Sequence, residues 1–255
     1  MHNPSILRLS RFRATVAYDG TAYFGYQRQR DDQPTVQGEL EKALSVLAKH
    51  PVTVWGAGRT DSGVHATGQV IAFDLSWRHG RGALQKAINA TLPDDIAVRE
   101  VTIVPPHFHP RFDARERAYN YYIEECPDGI KRPLTRLRQW QVMSVLDLEA
   151  MNEAARHLVG EHDFATFGQA PQGTNTVRVL HTAVWQRNGD SLIFSISANA
   201  FLYRMVRSIV GSLKLVGEGK WTTHEFIDAF EAQNRQRAGT TAPAHGLYLV
   251  SVAYE

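Results

Sequence analysis

The sequence predicts an α+β fold of two similar halves. Each half is a mainly antiparallel sheet with helices on one side, and the active-site cleft lies between them. Three observations lead there. Each half contains both strand-period and helix-period segments. The connections look antiparallel, with a hairpin signal at Asn188-Gly189. There is no regular strand–helix–strand alternation and no GxGxxG, which argues against a doubly wound parallel sheet. A cleft between two such halves is a common place for a site.

In the first half, "RFRATVAYDG" alternates Arg11 and Arg13 with Phe12, Ala14, Val16 and Tyr18, then turns at Asp19-Gly20, as a half-buried strand does. In "TVQGELEKALSVLAKH", Val36, Leu40, Ala43, Leu44 and Leu47 recur at helical spacing behind a Thr35 cap. "PVTVWGAG" and "GQVIAFDL" read as strands, with "GRTDSGVHAT" as the loop between them, and "GALQKAINATL" is a short helix.

In the second half, "YNYYIEE" is a strand and "DLEAMNEAARHLVG" a helix from an Asp147 cap to a Gly160 stop. "TVRVLHTAVWQRNGDSLIFSISA" is two strands. "NAFLYRMVRSIVGSLKLVGEG" reads as one helix with Phe201, Met205, Ile209 and Leu213 on a shared face. Thr222 and Glu225 have the spacing of a capping box, and "GLYLVSVAYE" closes the chain as a strand. Prolines punctuate "TLPDD", "VPPHFHP" and "CPDGIKRP"; the domain boundary is placed within the second, giving halves 1–108 and 109–255.

Composition narrows the function classes. The 255 residues are 43% hydrophobic and 21% charged with a formal net charge of +2, so an RNA site requires a local basic surface. The single cysteine, Cys126, allows no intrachain disulfide and fits a reducing, cytoplasmic compartment. Neither a signal peptide in "MHNPSILRLSRF" nor an apolar run long enough for a membrane span is expected.

"GRTDSGVH" is the segment richest in chemistry. Asp followed by Ser and Gly commonly closes a turn on its own backbone, and that is the plainer reading of Asp61. A functional reading rests on the loop's position at a strand end, on Gly58 and Gly63, and on Arg59, which would help keep a carboxylate ionised. Glycoside hydrolysis needs a second acid, and the nearest downstream is Asp74, in a strand. His65, His107 and His109 occur without HxxxH or HExxH spacing, so no metal is expected. "TDSG" is not a nucleophile elbow, and there is no phosphate-binding P-loop.

Two further stretches carry chemistry. Arg204 and Arg207 in "YRMVRSIVG" are three apart; on one helical face they are either a solvated stripe or a guanidinium pair for phosphate or a carboxylate. "RFDARERAYNYY" interleaves Arg111, Arg115 and Arg117 with Tyr119, Tyr121 and Tyr122, which suits strand packing or stacked RNA bases. Lys131, Arg132, Arg136 and Arg138 add a nearby basic cluster.

Together these motifs resemble, in order and over nearly the whole chain, the tRNA pseudouridine synthases of the TruA type. "YDGTAYFGYQRQ" resembles the family's first motif and "GRTDSGVHATGQV" the motif of its catalytic aspartate, which falls on Asp61. "RAYNY" resembles its Arg-x-Tyr-x-Tyr motif, with the active-site tyrosine on Tyr119. "NAFLYRMVRSIVG" resembles the motif whose arginine pairs with the aspartate, here Arg207, and "GLYL" the motif whose apolar residue borders the uracil, Leu247. Tyr26 and Ser208 stand where the family often has tryptophan and asparagine.

The resemblance implies isomerisation of uridine to pseudouridine at positions 38, 39 and 40 of the tRNA anticodon stem-loop, by a cytoplasmic homodimer without a cofactor. Asp61 would attack C1′ or act as base on a glycal intermediate, Arg207 would orient it, and Tyr119 would stack on the uracil or move the C5 proton. Arg59 would contact RNA or fill the space the flipped base leaves. The competing classes are a non-catalytic tRNA-binding protein, which would not need Asp61 and Arg207 together, and a carboxylate- or metal-dependent hydrolase.

Overall fold

A computed structural model describes residues 9–29, 33–171 and 173–255. It divides into two compact units, one running to Ala114 and including Tyr254, the other Arg115–Ala253 with Glu255.

The first unit is built on strands β1 (Leu9–Tyr18), β2 (Val54–Gly56), β3 (His65–Ser76) and β4 (Ile96–Val104). β1 lies antiparallel between β4 and β3, and β2 pairs with β3. Phe12, Ala14, Val16 and Tyr18 are buried, as the alternation predicts, and Phe12 stacks on its register partner Phe73. On the other face the register sets Arg11 opposite Asp74, and the guanidinium grips the carboxylate through two hydrogen bonds of 2.8 and 2.7 Å. Asp74 is thus held in an ion pair with Arg11 across the β1–β3 ladder.

Helix α1 (Val36–Ala48) is capped by Thr35, whose hydroxyl accepts from the Gly38 amide, and it buries Leu40 and Leu44. Helix α2 (Arg81–Asn89) buries Leu84 and Ile88. β4 is an element the sequence reading passed over. Its pairing with β1 skips Arg99, since Thr15 faces Glu100 and Val16 faces Val98. That bulge shifts the burial pattern from Ile96 and Val98 to Val101 and masks the period of two.

The second unit contains β5 (Glu116–Glu125), β6 (Trp140–Val142), α3 (Leu148–Arg156), β7 (Gly160–Asp163), β8 (Val177–Asn188), β9 (Ser191–Ala198), α4 (Met205–Gly217), α5 (Thr223–Glu231) and β10 (Leu247–Ala253). Its sheet runs β10–β5–β9–β8–β7 antiparallel, with the three-residue β6 parallel to β5. The hairpin forms at Gly189, where φ is +60°, and the α5 capping box has both of its hydrogen bonds.

Two expectations are corrected in this unit. α3 starts on its Asp147 cap but ends at Arg156; Gly160, at φ +113°, opens β7 instead of stopping the helix. The α4 helix begins only at Met205. Asn199–Arg204 is a non-helical connection in which the Tyr203 amide donates to the Gln169 carbonyl. Phe201 therefore shares no helical face with Met205, and Arg204, the cap at φ +60°, is not on a helical stripe with Arg207.

Candidate active site

The Asp61 loop is held by main chain and neighbouring side chains of its own unit. The Val64 amide donates to the Asp61 carbonyl at 3.1 Å, and Gly63 takes φ +77°, the geometry of a turn that needs glycine at its third position. Upstream, Gln69 clamps Gly58 from both sides, its amide nitrogen donating to the Gly58 carbonyl at 2.8 Å and its oxygen accepting from the Gly58 amide at 3.3 Å. Thr60 is buried, its hydroxyl 2.8 Å from that of Tyr18.

The segment after β1 cradles this loop. The Tyr26 amide donates to the Thr60 carbonyl at 3.0 Å, and the Ser62 hydroxyl donates to the Tyr23 carbonyl at 3.1 Å. A Cβ on Gly20 would lie 2.0 Å from the Val64 carbonyl oxygen, and one on Gly25, at φ +95°, 2.9 Å from that of Thr60. "YDGTAYFGYQ" and "GRTDSGVH" are therefore two halves of one local structure, and only glycine allows their approach. Buried His65 completes it: its Nδ1 lies 3.1 Å from the Gly20 amide and 3.0 Å from an Asp19 carboxylate oxygen.

The result is a half-buried Asp61 flanked by an exposed Arg59. Among the described residues, the Arg59 guanidinium has no hydrogen bond, ion pair or ring contact.

The second unit holds the other expected residues. Tyr119 lies on β5 between Leu249 of β10 and Ile196 of β9, nearly buried, with the ring of Phe201 edge-on to it at 5.0 Å. Tyr121, two residues on and on the same face, is core: its hydroxyl donates to the Pro243 carbonyl at 2.8 Å, and burial pushes its ionisation well above the ordinary tyrosine range. Leu247, opposite Tyr121 at the start of β10, is buried. It follows Gly246, where a Cβ would meet the Tyr121 ring at 2.6 Å.

Arg207 lies in the first turn of α4. Its Nε donates to the Ala242 carbonyl at 2.8 Å, and the Ala242 amide donates back to the Arg207 carbonyl at 3.0 Å. One turn later Gly211 lets the Thr240 carbonyl press against the helix, where a Cβ would stand 1.6 Å from that oxygen. Ser208 is fully buried and accepts a hydrogen bond from Arg235, which also reaches Thr241. The segment 239–247 thus fixes both Arg207 and Leu247.

The basic cluster after β5 is partly self-neutralised. Arg132 pairs with Asp128 at 2.9 Å, and Arg136 donates to the Pro133 carbonyl. Cys126 is buried, and burial raises its thiol, as suits a structural residue. Among the described residues no group of three or more His, Cys, Asp or Glu could hold a metal ion. None of their helices is long and apolar enough to cross a membrane. Sequence reasoning missed Gln69, whose signal was a polar residue inside an apolar strand, and Phe201, obscured by its helical spacing.

Known proteins match this chain closely. Residues 14–113 and 154–255 match the tRNA pseudouridine synthase family. The tRNA pseudouridine synthase A of Sinorhizobium fredii is 43% identical over 250 residues, covering 96% of this chain and 100% of its own. That of Maricaulis maris is 45% identical over 250 residues, covering 96% and 98%. A solved archaeal box H/ACA sRNP Nop10–Cbf5 complex aligns at TM-score 0.37 and 11% identity over 88% of this chain and 59% of that one, too slight a likeness to argue from. The chain belongs to the tRNA pseudouridine synthase family. Its class is that of isomerases that turn uridine in tRNA into pseudouridine.

Proposed function

We propose that this chain isomerises uridine to pseudouridine at positions 38, 39 and 40 of the tRNA anticodon stem-loop, with Asp61 as the catalytic carboxylate. The observation that carries the reading is the construction of the Asp61 loop: two close-packed glycines, a glutamine clamp and a turn hold one carboxylate beside an exposed guanidinium that has no hydrogen bond, ion pair or ring contact among the described residues.

The reaction breaks the C1′–N1 bond, turns the uracil and joins C5 to C1′; the C5 proton leaves and N1 regains one, so substrate and product are isomers and no cofactor is consumed. An ionised Asp61 serves either as nucleophile at C1′ or as base on the sugar. Arg207 is the cation assigned to that carboxylate, and Tyr119 the ring that receives the uracil and serves the proton transfer at C5. Leu247 borders the base. Arg59 contacts RNA beside the flipped nucleotide, whose unstacking costs a few kcal/mol. The enzyme works as a cytoplasmic homodimer, which gives a weakly charged chain more basic surface for one tRNA.

The test uses unmodified tRNA tritiated at uracil C5. Wild type releases tritium and Asp61→Asn does not. Equal release by both removes Asp61 from the mechanism, and binding without release by wild type leaves a non-catalytic tRNA-binding protein. Transcripts lacking uridine at 38, 39 and 40 together abolish release if the site assignment holds, and sedimentation of the wild type at working concentration reads the dimer.

A further inference from the structure

We propose that Tyr203 and Arg204 form a nucleotide-contact site in which the guanidinium takes a backbone phosphate of the bound RNA and the tyrosine ring takes the adjacent base. The inference rests on the tRNA-modifying reading and adds to it two residues that the family motifs leave without a task.

The connection from β9 to α4 buries Leu202 and Met205 and leaves the two residues between them exposed, Tyr203 at 50%. Neither is loose. The Tyr203 amide donates to the Gln169 carbonyl at 3.0 Å, and Gly168 packs so tightly below that a Cβ there would stand 2.5 Å from the Leu202 Cβ and 2.9 Å from the Tyr203 carbonyl oxygen. Arg204 caps α4 at φ +60° and ψ +10°. Glycine or asparagine would hold that left-handed turn at less cost, so the backbone alone gives no reason for arginine.

Its side chain lies over the Tyr203 ring, 4.9 Å from the centroid. Among the described residues that is its one ring contact, and no carboxylate or carbonyl takes any of its N–H donors. An exposed ring joined to a guanidinium whose N–H donors have no partner among the described residues, on a pinned main chain, is the chemistry that receives RNA, with stacking for a base and charge-assisted hydrogen bonds for phosphate. The pair stands just ahead of Arg207, in the same connection as Phe201, which touches Tyr119.

The test measures binding of a fluorescent unmodified tRNA transcript across a series of KCl concentrations, with tritium release from the same tRNA. Arg204→Asn keeps a residue that tolerates the left-handed turn and removes the charge. It lowers the slope of log Kd against log salt by about one, whereas Arg204→Lys keeps the wild-type slope. Tyr203→Ala weakens binding about fivefold or more, and Tyr203→Phe does not. In Arg204→Asn and Tyr203→Ala the loss falls more on Kd and KM than on kcat. Wild-type Kd and slope in both of these variants overturn the site while leaving the enzyme reading intact. A wild type that neither binds tRNA nor releases tritium overturns both.

Discussion

The ring of Phe201 stands edge-on to that of Tyr119, with centroids 5.0 Å apart and planes at 86°. Such a pair is worth about 0.5–1.5 kcal/mol beyond the area it buries. With Phe201 gone, the Tyr119 ring gains freedom at the position proposed to receive the uracil. Phe201→Ala is expected to lower kcat roughly two- to tenfold, as that energy range implies, with tRNA affinity within about twofold of wild type. Single-turnover kinetics beside equilibrium binding separate the two; a loss confined to affinity contradicts the positioning role.

Gly20 and Gly25 carry the Asp61 loop on their bare α-carbons. Gly20→Ala sets a Cβ 2.0 Å from the Val64 carbonyl oxygen, so main chain must move against main chain. Overpacking of this kind costs about 1–3 kcal/mol. Gly25→Ala adds the strain of φ +95°. Both variants are expected to melt several degrees lower and to lose turnover beyond what their folded fraction explains, because the displaced segment is Thr60–Val64. Gly129→Ala is the control: its φ is also positive, +71°, but it has open space around it. It should lose some stability and keep its turnover per folded molecule.

Much of this was legible in the sequence wherever local and tertiary preferences agree. The Thr35 and Asp147 caps, the Thr222–Glu225 box and the Asn188-Gly189 turn each satisfy backbone groups within a few residues, and the β1 alternation follows the side-chain period of a half-buried strand. Elements set by distant partners were not legible. The bulge at Arg99 conceals β4, and β6 is three residues long and pairs with the distant β5. "NAFLYRM" has helical spacing, but the bridge from Tyr203 to Gln169 and the left-handed Arg204 override it. Asp61 was legible as a turn aspartate. That Gly20 and Gly25 set its loop was not, because the contact joins segments some forty residues apart.

Tyr26 lies in the segment that cradles the Asp61 loop. Its ring is buried against Gly56 and lies 6.4 Å from that of Tyr18. Among the described residues its hydroxyl has no hydrogen-bond partner, and burial raises its ionisation far above the usual value. A buried hydroxyl left unsatisfied costs about 1–3 kcal/mol. Tyr26→Phe keeps the ring and the Tyr26 amide bond to Thr60, so it is expected to raise stability by roughly 1 kcal/mol with turnover unchanged. Denaturant titration reads the first and tritium release the second; a less stable Tyr26→Phe means that the hydroxyl is satisfied in solution.

His245 gives the fold a dependence on acid. It sits half-buried in the segment that also fixes Arg207 and Leu247. Burial lowers its pKa from the ordinary 6.5, the Arg207 charge lowers it further, and a main-chain hydrogen bond with Gln139 opposes both. Below about pH 6.5 the unfolded chain takes up a proton at this position that the folded chain resists. The unfolded state then binds more protons, so this contribution is fully present above that pH and is lost as the pH falls towards the folded value. His245→Gln removes it. Across pH 7.5 to about 5 the stability of wild type should fall more steeply than that of the variant, the gap opening below pH 6.5. Parallel profiles mean that His245 titrates alike in the folded and unfolded chains.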